Sequence, residues 1–193
     1  MIKSFVKSVL RGLAILIVSP LLLTHKLSSL VTSPDHSIES HSQFLSLLPG
    51  TFGNYLRVAF YRQTLEYCHP SATICFGTLF SKTGARIEEH VYIGPNCMIG
   101  LATIRSDVLI GPAVQIPSGP LTHGITRIDL PIRLQVGEQK RVTIERDCWI
   151  GCNSVVLTDL HEGCVIGAHS VITQPTDAFS IYAGCPAKKI RNR

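Results

Sequence analysis

The chain has 193 residues, of which 45% are hydrophobic and 16% are charged, and its formal net charge is +5. This length fits one domain with additions and can bury a core without cross-links. The Lys and Arg residues form no dense basic run, which argues against nucleic-acid binding. The low charged fraction favours either membrane contact or a very regular core.

The seven cysteines indicate free thiols rather than disulfides or a metal site. Their number is odd and none forms a Cys-x-x-Cys pair, so a secreted disulfide framework is not predicted. Cys148 and Cys152 stand closest to a metal spacing, but a structural zinc site needs four ligands. The sequence predicts no bound metal.

Residues 1–31 begin basic and then become apolar. The uncharged stretch over residues 12–24 has 13 residues, against about 20 for a straightforward membrane span. It predicts a retained membrane-associating segment: a signal-type core, a hairpin bent at Pro20, or a helix lying shallowly in the lipid. Whether residues 12–24 span the bilayer or lie on it stays open.

Two further regions separate this segment from the rest of the chain. Residues 32–42, rich in Ser and His, are predicted to be a linker. Residues 43–73 are predicted to form an amphipathic helical region with aromatic residues, Arg57 and Arg62 on helical spacing. This region either lies at a membrane interface or caps the end of the core.

From residue 74 onward an aliphatic residue returns about every six positions, which indicates a solenoid. In a three-sided coil the first residue of each hexad fills the interior and the fifth is small and points inward. The fourth lies at a corner, where a left-handed backbone favours Asn, Asp or His. The first positions are Ile87, Ile93, Ile99, Ile104, Ile110, Ile116, Ile144, Ile150, Val156 and Ile166; the fifth are Val91, Cys97, Thr103, Val108, Val114, Cys148, Ser154 and Ser170; the fourth are His90, Asn96, Asp107, Asp147, Asn153, Asp159 and His169.

The repeat predicts a β-helix over residues 74–175 of about five to six coils. A break at residues 117–141 forms an inserted loop, and residues 176–193 form a C-terminal tail. Ten residues rather than twelve separate Val156 from Ile166, so one coil is two residues short. The period alone does not fix the hand of the solenoid.

Three stretches resemble the hexapeptide-repeat acyltransferases: "WIGCNSVVL" at 149–157, "VIGAHSVIT" at 165–173 and "YAGCPAKKIR" at 182–191. The segment "LSLLPGTFGNYLRVAFYR" is similar to the exopolysaccharide and colanic-acid-type O-acetyltransferase branch. The resemblance implies a mainly β fold, a left-handed parallel β-helix with an α-helical, apolar N-terminal region. It also implies a homotrimer with acetyl-CoA in a groove between neighbouring helices.

The resemblance assigns the general base to a loop histidine, which here is His123. The residues support this role, because a free imidazole has a pKa near about 6.5 and accepts protons at neutral pH. His123 stands at no hexad corner and lies in the long insertion of a regular repeat, where functional loops are built. Asn96 falls where sugar O-acetyltransferases carry an active-site asparagine, although its corner position suffices to explain it, and Asp129 is a candidate for orienting the ring.

The same resemblance implies the residues that bind coenzyme A. Trp149 would pack on the pantetheine arm, and three positions would leave backbone amides accessible to it. The tail would meet the adenosine phosphates, unless it is only a solvated basic end. The amide positions are Gly151, Gly167 and Ala168, and the tail positions are Pro186, Ala187, Lys188, Lys189 and Arg191.

The sequence therefore predicts an acetyl-CoA-dependent O-acetyltransferase acting on a sugar or lipid-linked glycan in surface polysaccharide synthesis. Its expected location is the cytoplasmic face of the cell membrane, where it would be peripheral or monotopic. The alternatives are a serine or antibiotic acceptor, a non-catalytic trimeric scaffold, and a three-histidine metal enzyme, for which Ile128 stands where a second histidine would be needed. The acceptor hydroxyl and the acyl chain length stay open.

Overall fold

The computed structural model describes residues 2–193, with side chains from residue 7 onward, so Met1 and the Lys3 side chain of the predicted apolar segment lie outside the described part. Three helices precede a run of very short strands. The helices are α1 (Ile2–Val31), α2 (Pro34–Ser46) and α3 (Gly50–Thr64), with one 3-10 turn at Ile132–Leu134. The strands are β1 (Tyr67–Cys68), β2 (Thr73–Ile74), β3 (Leu79–Phe80), β4 (Arg86–Ile87), β5 (Tyr92–Ile93), β6 (Met98–Ile99), β7 (Ala102–Ile104), β8 (Leu109–Ile110), β9 (Gln115–Ile116), β10 (Val142–Ile144), β11 (Trp149–Ile150), β12 (Val155–Val156), β13 (Val165–Ile166), β14 (Val171–Ile172), β15 (Ser180–Gly184) and β16 (Ala187–Asn192).

The strands stack as the three sides of a parallel solenoid. One sheet has the order β1-β4-β7-β10, the second β2-β5-β8-β11-β13-β15-β16, and the third β3-β6-β9-β12-β14. All pairs are parallel except the final β15–β16 pair. The solenoid begins at β1, seven residues before the predicted start at residue 74, because Tyr67–Cys68 already pairs with Arg86–Ile87 of the next coil.

The interior of the solenoid consists of aligned aliphatic residues. Ile74, Ile93, Ile110, Ile150 and Ile166 follow one another in register along one sheet, and each has at most 1% of its surface exposed. All the predicted first and fifth positions are buried. Because every coil covers the open face of the previous one, burial of apolar surface holds the stack together.

The corners of the coils adopt the left-handed backbone that the repeat predicts. Six of the seven predicted corner residues have positive φ: His90, Asn96, Asp107, Asp147, Asn153 and His169. The prediction for Asp159 is wrong, since it belongs to the shortened coil and accepts a hydrogen bond from the Thr143 N–H at 2.7 Å instead. Ala113 also has a φ of 57°, a corner that its residue type did not reveal.

The coil between β12 and β13 closes although it is two residues short. Where the other coils have a strand, this coil has only Leu160, which is fully buried and forms a single parallel bridge to Ile144. The solenoid therefore keeps its core but loses one strand on this side.

Helix α1 runs without interruption through Pro20, so the predicted hairpin bend at this residue is wrong. Proline leaves the carbonyl of residue 16 without its usual amide donor. The Ser19 hydroxyl donates a hydrogen bond to the Leu16 carbonyl at 2.8 Å and compensates.

The two long faces of α1 differ in their contacts. Ala14, Val18 and His25 are buried against the other helices, whereas the opposite face exposes a row of apolar side chains. From Lys7 to Val31 the helix is long and apolar enough to cross a membrane by length and composition, with a mean hydropathy of 1.7, as some core helices and signal sequences also are. The exposed row consists of Val9, Leu10, Leu13, Leu16, Ile17, Leu23, Leu27, Leu30 and Val31.

The predicted linker at residues 32–42 is wrong, because α2 occupies residues 34–46. Ser33 caps the helix by accepting a hydrogen bond from the His36 N–H, and Pro34 follows as its first residue, a favourable start. Asp35 then fixes α2 to the solenoid, accepting hydrogen bonds from the Thr83 N–H and hydroxyl at 2.9 Å each. Serine and histidine therefore occur here as capping and packing residues.

Helix α3 covers the first coil. Of the two interpretations of residues 43–73, a membrane-interface helix or a cap on the core, the cap fits this helix. Phe60 and Tyr61 are fully buried, and the Tyr61 ring lies 4.6 Å from that of Phe80 in β3. The region is not helical throughout, since α3 ends at Thr64 and residues 67–68 are strand β1.

The C-terminal tail is a hairpin. Strand β15 continues the second sheet by pairing with β13, and β16 folds back along it antiparallel. Residues 176–193 therefore close the last coil of the solenoid.

Candidate active site

The insertion between β9 and β10 is a folded ribbon with its own hydrogen bonds. The Glu138 N–H donates to the Leu121 carbonyl at 2.7 Å, and the Lys140 N–H donates to the Ser118 carbonyl at 2.9 Å. Near its tip the Gln135 amide donates to the carbonyls of Arg127 and Leu130. The loop thus holds its residues in defined positions beyond the solenoid wall.

His123 lies in the outgoing arm of this ribbon. Its side chain is exposed, and the imidazole makes no hydrogen bond to any residue from 7 to 193. Gly137 lies against it in the returning arm: a Cβ there would approach the Thr122 carbonyl oxygen to 2.1 Å and the His123 nitrogen to 2.5 Å. Only glycine therefore permits this backbone approach. The sequence alone does not predict this role for Gly137, although the glycine is visible in the stretch "VGEQKR" at the end of the loop.

The expected contact between Asp129 and His123 is not made. Both carboxylate oxygens of Asp129 accept hydrogen bonds from Arg127, Oδ1 from Nε at 3.1 Å and Oδ2 from Nη2. The Arg127 hydrogen bonds lower the pKa of Asp129. An ion pair with a permanent cation two residues away competes better for the carboxylate than the more distant imidazole.

Asn96 lies at a solenoid corner rather than against His123. Its φ is 59°, its N–H donates to the Phe76 carbonyl at 3.0 Å, and its side chain is exposed. Gly77 makes room for it, since a Cβ at this glycine would lie 2.0 Å from the Asn96 Oδ1. Within the described chain, Asn96 forms no hydrogen bond with the inserted loop at residues 117–141.

Trp149 belongs to an exposed apolar row on the second sheet. Its neighbours in register are Leu109 on one side and Val165 on the other, and Tyr92 continues the row beyond Leu109. The indole has 56% of its surface exposed and Leu109 has 51%. A flat apolar surface of this kind can receive an uncharged ligand chain or a neighbouring subunit.

Two of the expected amide positions are used by the fold itself. The Gly151 N–H donates to the Ile166 carbonyl and the Gly167 N–H to the Tyr182 carbonyl, both at 2.8 Å. The expectation that these two amides are accessible is therefore wrong. A Cβ at Gly151 would lie 2.5 Å from the Ala168 nitrogen, so this glycine permits close stacking of coils. Ala168 is exposed and remains the candidate amide of the three.

The basic residues of the tail lie on the last hairpin. Lys188 and Arg191 are exposed, whereas the Lys189 Nζ is bound to the Asp177 carboxylate at 2.9 Å. This contact raises the pKa of Lys189 and lowers that of Asp177. Pro186 is exposed and Ala187 is half-buried in the turn region, so the tail presents a mixed surface.

In residues 7–193 no three His, Cys, Asp or Glu side chains are grouped so that they could hold a metal ion. Cys148 is buried and its Sγ lies 3.2 Å from the His161 carbonyl oxygen, while Cys152 lies at the surface of its coil. Cys148 therefore serves the solenoid interior as a small residue.

Residues 141–174 match the family described as the hexapeptide repeat of succinyl-transferase. The putative lipopolysaccharide biosynthesis O-acetyl transferase WbbJ of Escherichia coli strain K12 is 30% identical over 122 residues, which are 60% of this chain and 61% of that protein. The chain spans only about a quarter of the length of the first two curated relatives that it matches, at 24% and 28%.

Two solved structures share the fold. A maltose O-acetyltransferase from Clostridium difficile 630 superimposes with a TM-score of 0.69 at 16% identity, covering 83% of this chain and 88% of that one. The hexapeptide-repeat acetyltransferase VCA0836 of Vibrio cholerae O1 biovar eltor, in complex with acetyl coenzyme A, gives 0.62 at 24% identity, covering 83% and 90%. The chain therefore has the left-handed parallel β-helix fold of the hexapeptide-repeat acetyltransferases.

Proposed function

We propose that this left-handed β-helix protein is an acetyl-CoA-dependent O-acetyltransferase whose acceptor is a sugar hydroxyl. One observation carries the proposal: the solenoid is interrupted by a folded loop that presents an exposed imidazole, His123, with no intramolecular hydrogen bond in the described chain. An unengaged imidazole on a rigid support is suited to accept a proton from a substrate. The similarity to WbbJ and to the maltose O-acetyltransferase supports a sugar acceptor.

In the proposed reaction His123 removes the proton from the acceptor hydroxyl as its oxygen attacks the thioester carbonyl of acetyl-CoA. A tetrahedral intermediate forms and collapses, which breaks the C–S bond and forms the ester. The leaving thiolate takes the proton from the imidazolium, so His123 returns to its starting state. Asp129 is occupied by Arg127 and is not required for the proton balance. Asn96 remains a candidate for binding the acceptor.

We propose that Trp149 packs on the pantetheine arm of coenzyme A and that the backbone amide of Ala168, an exposed residue, contacts it. Lys188 and Arg191, with the turn at Pro186 and Ala187, would bind the phosphates. Lys189 would take part only if it exchanged Asp177 for a phosphate, since its Nζ is already paired at 2.9 Å. The acetyl-CoA bound in the similar V. cholerae structure supports this donor.

The apolar side chains of the loop support a homotrimer in which the loop of one subunit lies against its neighbour. Ile128 and Val136 have 102% and 94% of their residue reference area exposed. Leu121, Ile125, Ile132 and Leu134 are also at least half exposed. Such a concentration of apolar surface is typical of an interface. The acceptor and donor sites would then be completed between subunits.

The exposed apolar row of α1 supports attachment to the cytoplasmic face of the cell membrane. One face of α1 packs on α2 and α3, so the other can lie in the lipid boundary while the solenoid stays in water. Acetyl-CoA and reduced cysteines are both consistent with this side of the membrane. A glycan assembled at the membrane surface would be the acceptor that such a placement serves.

The experiment measures release of coenzyme A from acetyl-CoA by the purified full chain, with and without sugar acceptors. Mass spectrometry of surface glycans from a strain lacking the gene complements it. We expect the purified chain to release coenzyme A only when a sugar acceptor is present. The surface glycans of the strain lacking the gene should lack an acetyl ester. Tight acetyl-CoA binding without transfer to any hydroxyl would support a non-catalytic scaffold instead.

A further inference from the structure

A basic cavity lies between α1, α3 and the first two coils, away from the inserted loop. Its volume is about 390 Å³, and its walls include Lys7 and Arg11 of α1 and Arg62 of α3. Ser71, Thr73 and His90 complete its polar wall on the solenoid side. Among the side chains that the structure describes, no carboxylate lines this cavity.

The three cations of the cavity have no acidic partner. Arg11 donates to the Pro70 carbonyl at 2.8 Å, and none of the three forms an ion pair within residues 7–193. Residues 1–6 contain no Asp or Glu that could supply one. By contrast, Arg86, Arg105 and Arg146 on the solenoid each pair with a glutamate.

The nearest acidic group with a defined contact to the cavity wall is Asp107, which accepts a hydrogen bond from the His90 Nδ1 at 3.2 Å. That carboxylate is engaged by the imidazole. Three like charges at one cavity repel each other and attract an anion. Arginine also offers the planar pair of N–H donors that matches a phosphate.

An apolar cavity of about 270 Å³ adjoins the basic one. It is lined by Leu10, Leu13, Ala14 and Ile17 of α1 and by Thr51, Phe52, Tyr55 and Leu56 of α3. Tyr55 belongs to the walls of both cavities, so the two cavities are direct neighbours. Leu10, Leu13 and Ile17 also belong to the exposed apolar row of α1.

We propose that the two cavities together bind a lipid-borne phosphate, with the phosphate among Lys7, Arg11 and Arg62 and the start of its hydrocarbon chain along Leu10, Leu13 and Ile17. A free phosphate would fill only the basic cavity, and a neutral lipid would leave the cations without a counter-charge. This inference rests on the membrane placement in the proposed function. It adds a defined anion site to that placement.

The test measures binding of farnesyl phosphate to the full chain in a neutral detergent by titration calorimetry. Inorganic phosphate and farnesol, titrated separately, represent the head and the chain alone. The variants are Lys7→Gln, Arg62→Gln and the pair. Both residues are exposed and form no ion pair within residues 7–193, so we expect the fold to tolerate these changes. Lys26→Gln is the matched control, since it removes the same charge from α1 outside both cavities.

Farnesyl phosphate is expected to bind at least about tenfold more tightly than either partial ligand, and each cavity variant to weaken it about tenfold. Lys26→Gln should leave binding unchanged. Equal affinity for inorganic phosphate or for farnesol would overturn the proposal, and so would an equal loss in Lys26→Gln, which would indicate diffuse attraction.

A parallel assay of acetyl transfer to a soluble sugar separates this inference from the proposed function. Transfer without farnesyl phosphate binding would contradict the lipid site alone. Binding without transfer to any acceptor would support the lipid site and contradict the acetyltransferase assignment.

Discussion

Arg57 is a charged side chain that the structure buries almost completely, with 1% of its surface exposed. Its guanidinium donates hydrogen bonds to three carbonyls: Ile74 at 2.8 Å, Leu45 at 3.1 Å and Leu48 at 2.6 Å. Burial lowers the pKa of this arginine, but the three acceptors satisfy the cation. One side chain thereby ties α2, α3 and the first coil together.

Arg57→Ala should destabilise the protein by about 3–5 kcal/mol, because it removes these bonds and leaves a cavity and unpaired carbonyls. Urea unfolding followed by circular dichroism measures the change. Arg62→Ala, on the exposed face of the same helix, is the control and should stay within about 0.5 kcal/mol. Equal stability of the two variants would show that Arg57 does not join these elements.

Gly137→Ala should impair acetyl transfer without unfolding the protein. The new Cβ would displace the Thr122–His123 backbone, and a shift of about 1 Å at a reacting group can lower the rate about 100-fold. Steady-state kinetics should show the loss in kcat, with acetyl-CoA affinity and melting temperature nearly unchanged. Gly12→Ala meets nothing within 4 Å and is the control; a Gly137→Ala enzyme as active as wild type would exclude this positioning role.

At the scale of elements, the six-residue repeat predicts the solenoid but not helix α2, which packs against it. An aliphatic residue every six positions requires stacked coils, and the Asn, Asp and His corners follow from the left-handed backbone that they tolerate. The serines and histidines of helix α2 have the composition of a linker, so the sequence does not predict this helix. In the structure they make tertiary contacts, such as the 2.8 Å hydrogen bond between the Ser42 and Tyr61 hydroxyls. Periodicity carries no information on such contacts.

The attachment of α2 should depend on pH through Asp35. Burial raises the pKa of this carboxyl, but the hydrogen bonds from Thr83 and the Lys82 ammonium outweigh it, so the pKa lies below the ordinary 3.8. A carboxyl with a lowered folded-state pKa stabilises the fold above its unfolded-state pKa, and this contribution is lost as the pH falls through the folded-state value. Asp35→Asn should therefore unfold at a lower temperature than wild type at neutral pH.

Thermal unfolding between neutral pH and pH values below 3.8 measures this difference. The gap between wild type and Asp35→Asn should close on acidification. Glu39→Gln on the same helix, whose carboxylate makes no contact with a cation in the described chain, should show no comparable gap. A gap that is constant with pH would show that the Asp35 charge does not hold α2.

At the scale of the whole molecule, the sequence predicts where the candidate site lies but not which hydrogen bonds its groups make. The loop and His123 were predictable, because an interruption is visible in a strict repeat. The sequence does not predict that Asp129 bonds to Arg127 instead of His123. It also does not predict that the Gly151 and Gly167 amides donate within the sheet, because such hydrogen bonds depend on the three-dimensional neighbours of each group. Motif resemblance transfers residue types but not their hydrogen-bond partners.

Sedimentation of the purified chain should give a species of three times the 21.1 kDa chain mass. Ile128→Asp should shift it toward the monomer, because a buried unpaired carboxylate disfavours the proposed interface. Gln139→Asp, at an exposed position in the returning arm of the same loop, adds the same single negative charge and is the control. A wild-type chain that is monomeric and fully active would contradict the trimer.

If His123 acts as the base in acetyl transfer, His123→Ala should lose turnover with acetyl-CoA and a sugar acceptor, which steady-state kinetics measures. General-base catalysis contributes about 100- to 10,000-fold, so kcat should fall by at least the lower figure while acetyl-CoA affinity stays nearly constant. His169→Asn, which keeps a residue tolerant of the left-handed corner, should retain wild-type turnover. Unchanged turnover in His123→Ala would show that His123 is not the base.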